Sequence, residues 1–194
     1  GEPTGPARAE LEAVVRRAGP RFEDAINRME LAEQAIRDPL TRLRNRRGLE
    51  EAMGTIGVEI GTLVLVDLDR FKLLNDTLGH PAGDAALRLV AGVIEDAVRE
   101  GDIAARFGGE EFALWLPGAT LNEGMAVAER VRSQIQLLDW EWQGRPWPMA
   151  ASVGVASWPE TTRSRDNLIS QADAALYRAK SGGRNRVEKA PPAR

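Results

Sequence analysis

Arg106-Phe-Gly-Gly-Glu-Glu-Phe112, read with Val64-Leu-Val-Asp-Leu-Asp-Arg-Phe71 upstream, decides how this chain is read. Two adjacent glycines fall where one apolar strand, Ile103 to Phe107, must turn into another, Phe112 to Leu116. Glycine permits positive φ and carries no side chain, so a polyanion can approach the backbone closely there. Two carboxylates, Glu110 and Glu111, follow at once, and Asp67 and Asp69 end a second apolar strand. Acidic groups beside a Gly-rich turn suit a divalent cation that bridges protein to phosphate, because hard oxygen ligands select Mg²⁺. The outline is that of a nucleotide-handling metal site.

Composition narrows the classes around it. The chain has 194 residues, 43% hydrophobic and 28% charged, which suits one soluble domain with an appendage. A net charge of −3 gives no basic field for a nucleic-acid polymer or an anionic membrane. The absence of cysteine excludes disulfides and thiolate metal sites and fits a cytoplasmic setting. No apolar run reaches the roughly 18 residues that span a bilayer, so no membrane insertion is expected.

Along the chain, residues 7–37 read as a helix in which Val15, Phe22, Met29 and Ile36 recur every seven positions. Leu11, Ala18, Ala25 and Ala32 fill the seam between them. That pattern fits a dimerising coiled coil or an amphipathic helix packed on its own domain, and Gly19-Pro20 marks a kink. Asp38-Pro39 ends it, since a residue before proline is pushed out of the α region. Beyond it, a helix near Asn45 to Gly54 precedes a strand from Thr62 to Val66. Helices follow with apolar stripes at Leu87, Val90, Ile94 and Val98, then Ala128, Val131, Ile135 and Leu138, and finally Ile169, Ala172, Leu176 and Ala179. Trp140–Gln143 and Trp147–Trp158 read as a further strand pair. The expected class is α+β, strands with helices layered on one side.

Gly108-Gly-Glu-Glu-Phe112 resembles the GGDEF/GGEEF signature of diguanylate cyclases. Three more motifs follow that family in order. Asp38-Pro-Leu-Thr-Arg-Leu-Arg-Asn-Arg-Arg47 resembles its opening motif, though Arg42 and Arg44 stand where Gly and Pro are frequent. Asp67 to Asp84 resembles its metal and guanine segment. Ala172 to Arg186 resembles its C-terminal phosphate-binding helix and turn. The resemblance runs from about Asp38 to Glu188. It implies a nucleotidyl cyclase or palm-like, five-stranded, mainly antiparallel sheet flanked by helices. It also implies a division into a signalling helix (1–37), a cyclase domain (38–188) and a tail (189–194).

The resemblance also distributes roles. Asp67, the Leu68 carbonyl and Glu110 would hold two Mg²⁺ or Mn²⁺ ions, and Glu111 would act as general base, a role open to Glu110 too. Asp69 reads equally as a helix cap or a catalytic group. Arg70, Phe71 and Lys72 open a short helix whose free amides would accept phosphate, as would Gly108 and Gly109. Lys180 and Arg184 flank a glycine turn, either as phosphate contacts or as a cationic C-cap. Asn75 and Asp84 would read guanine, the carboxylate accepting from its N1 and exocyclic amine edge. His80 is a nucleotide contact or part of a Gly-His-Pro turn. Arg99-x-x-Asp102, with Arg130, matches the family's inhibitory product site and otherwise reads as a charged turn.

These expectations converge on an enzyme that condenses two GTP into cyclic di-GMP and two pyrophosphates between the subunits of a homodimer. The product would feed back as an inhibitor, and the sensor domain that would precede the helix is absent from this chain. The rivals are a catalytically silent module that binds cyclic di-GMP or GTP, and a palm-like enzyme with another nucleotide product. Intact Asp67, Glu110 and Glu111 disfavour the first, and the guanine-reading pair disfavours the second.

Overall fold

The computed structural model describes residues 33–55 and 59–193, and contacts divide the chain into two units, Gly1–Ile36 and Arg37–Arg194. In the first unit residues 33–35 are helical. The heptad residues Val15, Phe22 and Met29 lie outside the described residues.

The second unit is built on the strand that the opening stretch anticipates. Strand β2 (Gly61–Leu68) is buried at every position, as continuous hydrophobicity requires when both faces of a sheet are covered. It pairs antiparallel with β4 (Glu111–Pro117) on one side and β7 (Ala151–Trp158) on the other. Outside β4 lies β3 (Ile103–Arg106), also antiparallel, so the glycine pair caps a hairpin as expected. Two short strands extend the edges in parallel, β1 (Arg44–Asn45) beside β3 and β8 (Val187–Lys189) beside β7. The sheet therefore runs β1-β3-β4-β2-β7-β8, six strands where five were expected. The added edges are two and three residues long, too short to show a period in sequence.

Helices cover both faces, which corrects the expectation of one. On one face, α2 (Phe71–Leu78), α3 (His80–Ala97) and α4 (Leu121–Gln136) bury Leu74, Leu87, Val90, Ile94, Val131 and Ile135 against Val64, Val66, Phe112 and Val153. On the other, α1 (Arg46–Thr55) and α5 (Leu168–Ser181) bury Leu49, Leu168, Ala172 and Leu176 against Leu63, Leu65, Ala113 and Trp115. Both stripes are visible in sequence, but the stripe does not say which face of the sheet receives it. Helix α4 starts with a capping box in which Thr120 accepts from the Glu123 amide and Glu123 accepts from the Thr120 amide. Gly154 in β7 lets α5 approach, because a side chain there would collide with backbone atoms of Ala172 and Leu176.

The tryptophan-rich segment also departs from expectation. Glu141–Trp142 (β5) and Arg145–Pro146 (β6) form their own two-residue hairpin, turning at Gln143 and Gly144 with φ of 52° and 75°. Strand β7 leaves it to pair with β2 in the centre. Paired positive φ values are the mark of a tight hairpin turn, and this one releases the following chain to the main sheet.

Candidate active site

Register brings the acidic residues together. Asp67 lies opposite Glu111 across the β2–β4 pair and opposite Ser152 across the β2–β7 pair. Alternation along the strands puts Asp67 and Glu111 on the face that carries α5. Lys180, in the last turn of α5, reaches Asp67 with its Nζ 2.7 Å from Oδ2. The hairpin turn closes when the Glu111 carbonyl accepts from the Phe107 and Gly108 amides, while the Leu68 amide donates to the Glu110 carbonyl at 3.2 Å. That last bond pins the backbone of Glu110 to the end of β2.

The glycines of the turn work differently from the expectation, for neither sits at positive φ. A side chain at Gly108 would crowd the Glu111 carboxylate and turn it aside, while Gly109 faces open space. Electrostatically the cluster is crowded with like charge. Burial pushes the Asp67 carboxyl above its usual range; Lys180 opposes this, and Glu111 and Asp69 push it further. Burial likewise raises Glu110, followed by the charge on Asp67. Two carboxylates that resist ionising beside each other are suited to a hard dication, with the Leu68 carbonyl at the same strand end. Among the described residues no group of three His, Cys, Asp or Glu side chains is gathered for a metal.

Asp69 does not cap the helix. Arg70 occupies the N-cap position of α2 at φ 59°, and no side chain caps the helix. Asp69 instead accepts from the Ser152 hydroxyl at 2.7 Å and from the Asn185 amide at 2.9 Å. A cavity of about 600 Å³ is lined by Asp69, Arg70, Gly183 and Arg184 together, so the N-terminus of α2 and the turn after α5 face one space. Phe71 is buried at the first turn of α2 and Lys72 is exposed. Lys180 sits with the carboxylates rather than on that cavity.

The residues expected to read the base lie on α2 and α3. Asn75 lays its amide carbonyl over Gly83, where a side chain would collide with it, and its Oδ1 is buried without a hydrogen-bond partner. An orphaned buried acceptor beside a glycine cradle fits a base edge that donates. Asp84, the next residue, is exposed. His80 is exposed as well, and it opens α3 after Gly79 at φ 87° rather than forming a turn.

Arg99, Asp102 and Arg130 meet at the far end of β4. Arg99 donates to Asp102 and to the Pro117 carbonyl, and a cavity of about 160 Å³ is lined by these three residues with Glu123. Pro117 lies six residues along the strand from Glu111, roughly 20 Å at strand rise.

Sequence reasoning missed one ion pair altogether. Arg106 donates to the Asp38 carboxylate at 3.2 Å and to the Gly109 carbonyl at 2.7 Å, tying the opening loop to the signature turn. Asp38 also accepts from the Thr41 amide and hydroxyl. Burial raises this carboxyl, but the Thr41 hydrogen bonds and Arg106 outweigh it and hold it below its usual range. The partners are 68 residues apart, so no local spacing signals the pair. Arg42, where the resemblance leads one to expect glycine, sits at φ 66°, a conformation glycine adopts without strain.

With the geometry in view, the comparisons are specific. The family described as diguanylate cyclase, GGDEF domain, matches residues 35–186. The chain is 36% identical over 188 residues to diguanylate cyclase DgcP of Pseudomonas aeruginosa, covering 92% of this chain and 28% of that protein. It is 37% identical over 172 residues to diguanylate cyclase A of Treponema denticola, covering 84% of this chain and 46% of that protein. The chain thus spans less than half the length of these curated relatives. The crystal structure of the coiled coil and GGDEF domain of DgcB from Caulobacter crescentus, in complex with c-di-GMP, superposes with a TM-score of 0.81 at 31% identity, over 93% of this chain and 99% of that one.

Proposed function

This chain belongs to the GGDEF diguanylate cyclase family, and we propose on that premise that it condenses two GTP into cyclic di-GMP and two pyrophosphates. The observation that carries the reading is the crowded carboxylate cluster at the paired ends of β2 and β4, with a cationic helix end beside it. A silent binding module has no need of carboxylates held at such electrostatic cost.

In this reading each domain holds one GTP. Asn75 and Asp84 take the guanine edge, and adenine, lacking the donor pair, leaves them unsatisfied. Arg184, the amides of Arg70, Phe71 and Lys72, and the backbone at Gly108 and Gly109 receive the phosphates, with Lys180 near the α-phosphate side. Asp67, the Leu68 carbonyl and Glu110 are the groups that would hold Mg²⁺ or Mn²⁺, two ions per site. Bound there, such ions lower the pKa of an attacking hydroxyl and neutralise the departing pyrophosphate. Glu111 accepts the proton of the ribose 3′-hydroxyl, with Glu110 the alternative.

A cyclic product needs two such sites face to face, so the active species is a two-fold homodimer in which each 3′-hydroxyl attacks the other nucleotide's α-phosphate. The heptad segment 7–37 would be the pairing element, a reading supported by the coiled coil named for the DgcB structure. Arg99, Asp102 and Arg130 form a feedback site for the product. The signalling helix, the cyclase domain over 38–188 and the tail are the working divisions, and GTP supply places the domain in the cytoplasm. Among the described residues no helix is long and apolar enough to cross a membrane.

Incubation with GTP and Mg²⁺, with the product identified by mass, tests the reading. Cyclic di-GMP formed at a rate per subunit that climbs with protein concentration is expected. A linear dinucleotide, another nucleotide, or bound but unchanged GTP would replace this reading with one of its rivals.

A further inference from the structure

The second carboxylate of the Asp67-Leu-Asp69 segment is the buried ionisable group that the proposed reaction leaves unused. Its side chain is 5% exposed. Both oxygens are engaged: Oδ1 by the hydroxyl of Ser152, itself fully buried, with Arg184 Nε at 4.0 Å from the same oxygen, and Oδ2 by the backbone amide of Asn185. The Asp69 amide donates in turn to the Ala150 carbonyl.

Asn185 is gripped from its other side as well. Its Oδ1 accepts from Arg132 Nη1 at 2.8 Å, and Arg132 is anchored on α4 by Glu129 and Gln136. Between these grips the chain holds three successive positive φ values: 118° at Gly183, 66° at Arg184 and 46° at Asn185. Two of them fall on residues with side chains, which adopt that region at a cost and need surroundings that fix it. The turn so fixed carries Arg184 and faces the cavity shared with Arg70.

We propose that Asp69 and Arg132 are positioning residues that clamp the turn at 183–185 from opposite sides and so aim Arg184 at the nucleotide phosphates. This rests on the reading of the preceding subsection for the identity of the ligand. It assigns Asp69 a role distinct from that of Asp67 two residues earlier. Asp67 meets Lys180 among the catalytic carboxylates, whereas both Asp69 oxygens are spent on protein donors.

The substitution that separates a clamp from a metal ligand is Asp69→Asn. An asparagine amide can accept from the Asn185 amide with its oxygen and donate to the Ser152 hydroxyl with its nitrogen, so the clamp survives and only the long, solvent-screened pair with Arg184 is lost. Asp69→Ala removes both bonds. Losing a buried, charge-assisted anchor should raise KM for GTP by about tenfold with kcat within about threefold of wild type, while Asp69→Asn stays within about threefold in KM. Arg132→Met, which keeps the aliphatic stem but loses the bond to Asn185, should raise KM in the same direction and carries the test if Asp69→Ala does not fold.

Hydrogen exchange across residues 183–186 supplies a readout independent of turnover. It should quicken in Asp69→Ala and Arg132→Met and stay near wild type in Asp69→Asn. A cyclase reading that fails leaves this result standing. The proposal is overturned if Asp69→Asn is as impaired as Asp69→Ala with a raised Mg²⁺ requirement, for Asp69 then binds metal. It is equally overturned if folded Asp69→Ala or Arg132→Met leaves KM and exchange unchanged.

Discussion

Glu110 is held where burial and the neighbouring Asp67 both oppose its charge, so its carboxyl titrates above the usual range. A carboxyl with a raised folded-state pKa contributes stability below its unfolded pKa, and that contribution is lost as pH rises through the folded value. At neutral pH the ionised Glu110 is therefore a load on the ligand-free fold. Glu110→Gln should raise the melting temperature at pH 7 relative to wild type, with the gap closing as pH falls below the ordinary carboxylate range, and should abolish turnover. Thermal melts of both proteins across pH check this; an unchanged or lowered melting temperature at pH 7 would mean the crowding is not felt. At this scale the sequence spoke unevenly. Asp67, Glu110 and Glu111 were legible because they sit beside strand ends and glycines. The clamp at Asp69 and the Asp38–Arg106 pair were not, since their partners lie 116 and 68 residues away.

The position of α5 depends on one residue of the strand beneath it. A side chain at Gly154 would meet backbone, which cannot rotate aside as a side-chain tip can. Gly154→Ala should therefore cost about 1–3 kcal/mol by overpacking and push α5 outward. Because α5 carries Lys180, the same variant should weaken GTP use. Denaturant unfolding together with KM for GTP measures both effects, and a variant as stable and active as wild type would show that the close approach is dispensable. The long elements were readable because stripes at 3–4 spacing and an unbroken apolar run each have one natural outcome. Which face of the sheet each helix covers was not, nor were β1, β8 and the β5–β6 hairpin. A strand of two or three residues carries no periodicity, and its place is set by tertiary pairing.

For the whole molecule, the candidate active site and the Arg99 cavity occupy opposite ends of β4, so a ligand at one need not touch the other. Product bound through Arg99, Asp102 and Arg130 would inhibit only by favouring a non-productive arrangement of two domains, which requires differential affinity for that arrangement. Arg99→Ala, which removes a forked donor, should abolish slowing by added cyclic di-GMP while leaving the initial rate within about twofold. Progress curves of the two proteins that slow alike would make this end an ordinary charged turn.

In the proposed reaction the carboxylates at the ends of β2 and β4 turn over GTP. The most direct measurement is the initial rate of cyclic di-GMP formation from GTP and Mg²⁺ by wild type and by folded Asp67→Asn at equal concentration. Removing a group that acts chiefly in the transition state should lower that rate by about a hundredfold or more. Cyclic di-GMP from wild type and a rate at least that much lower from Asp67→Asn is the result expected; equal rates from the two proteins, or no product from wild type, would contradict it.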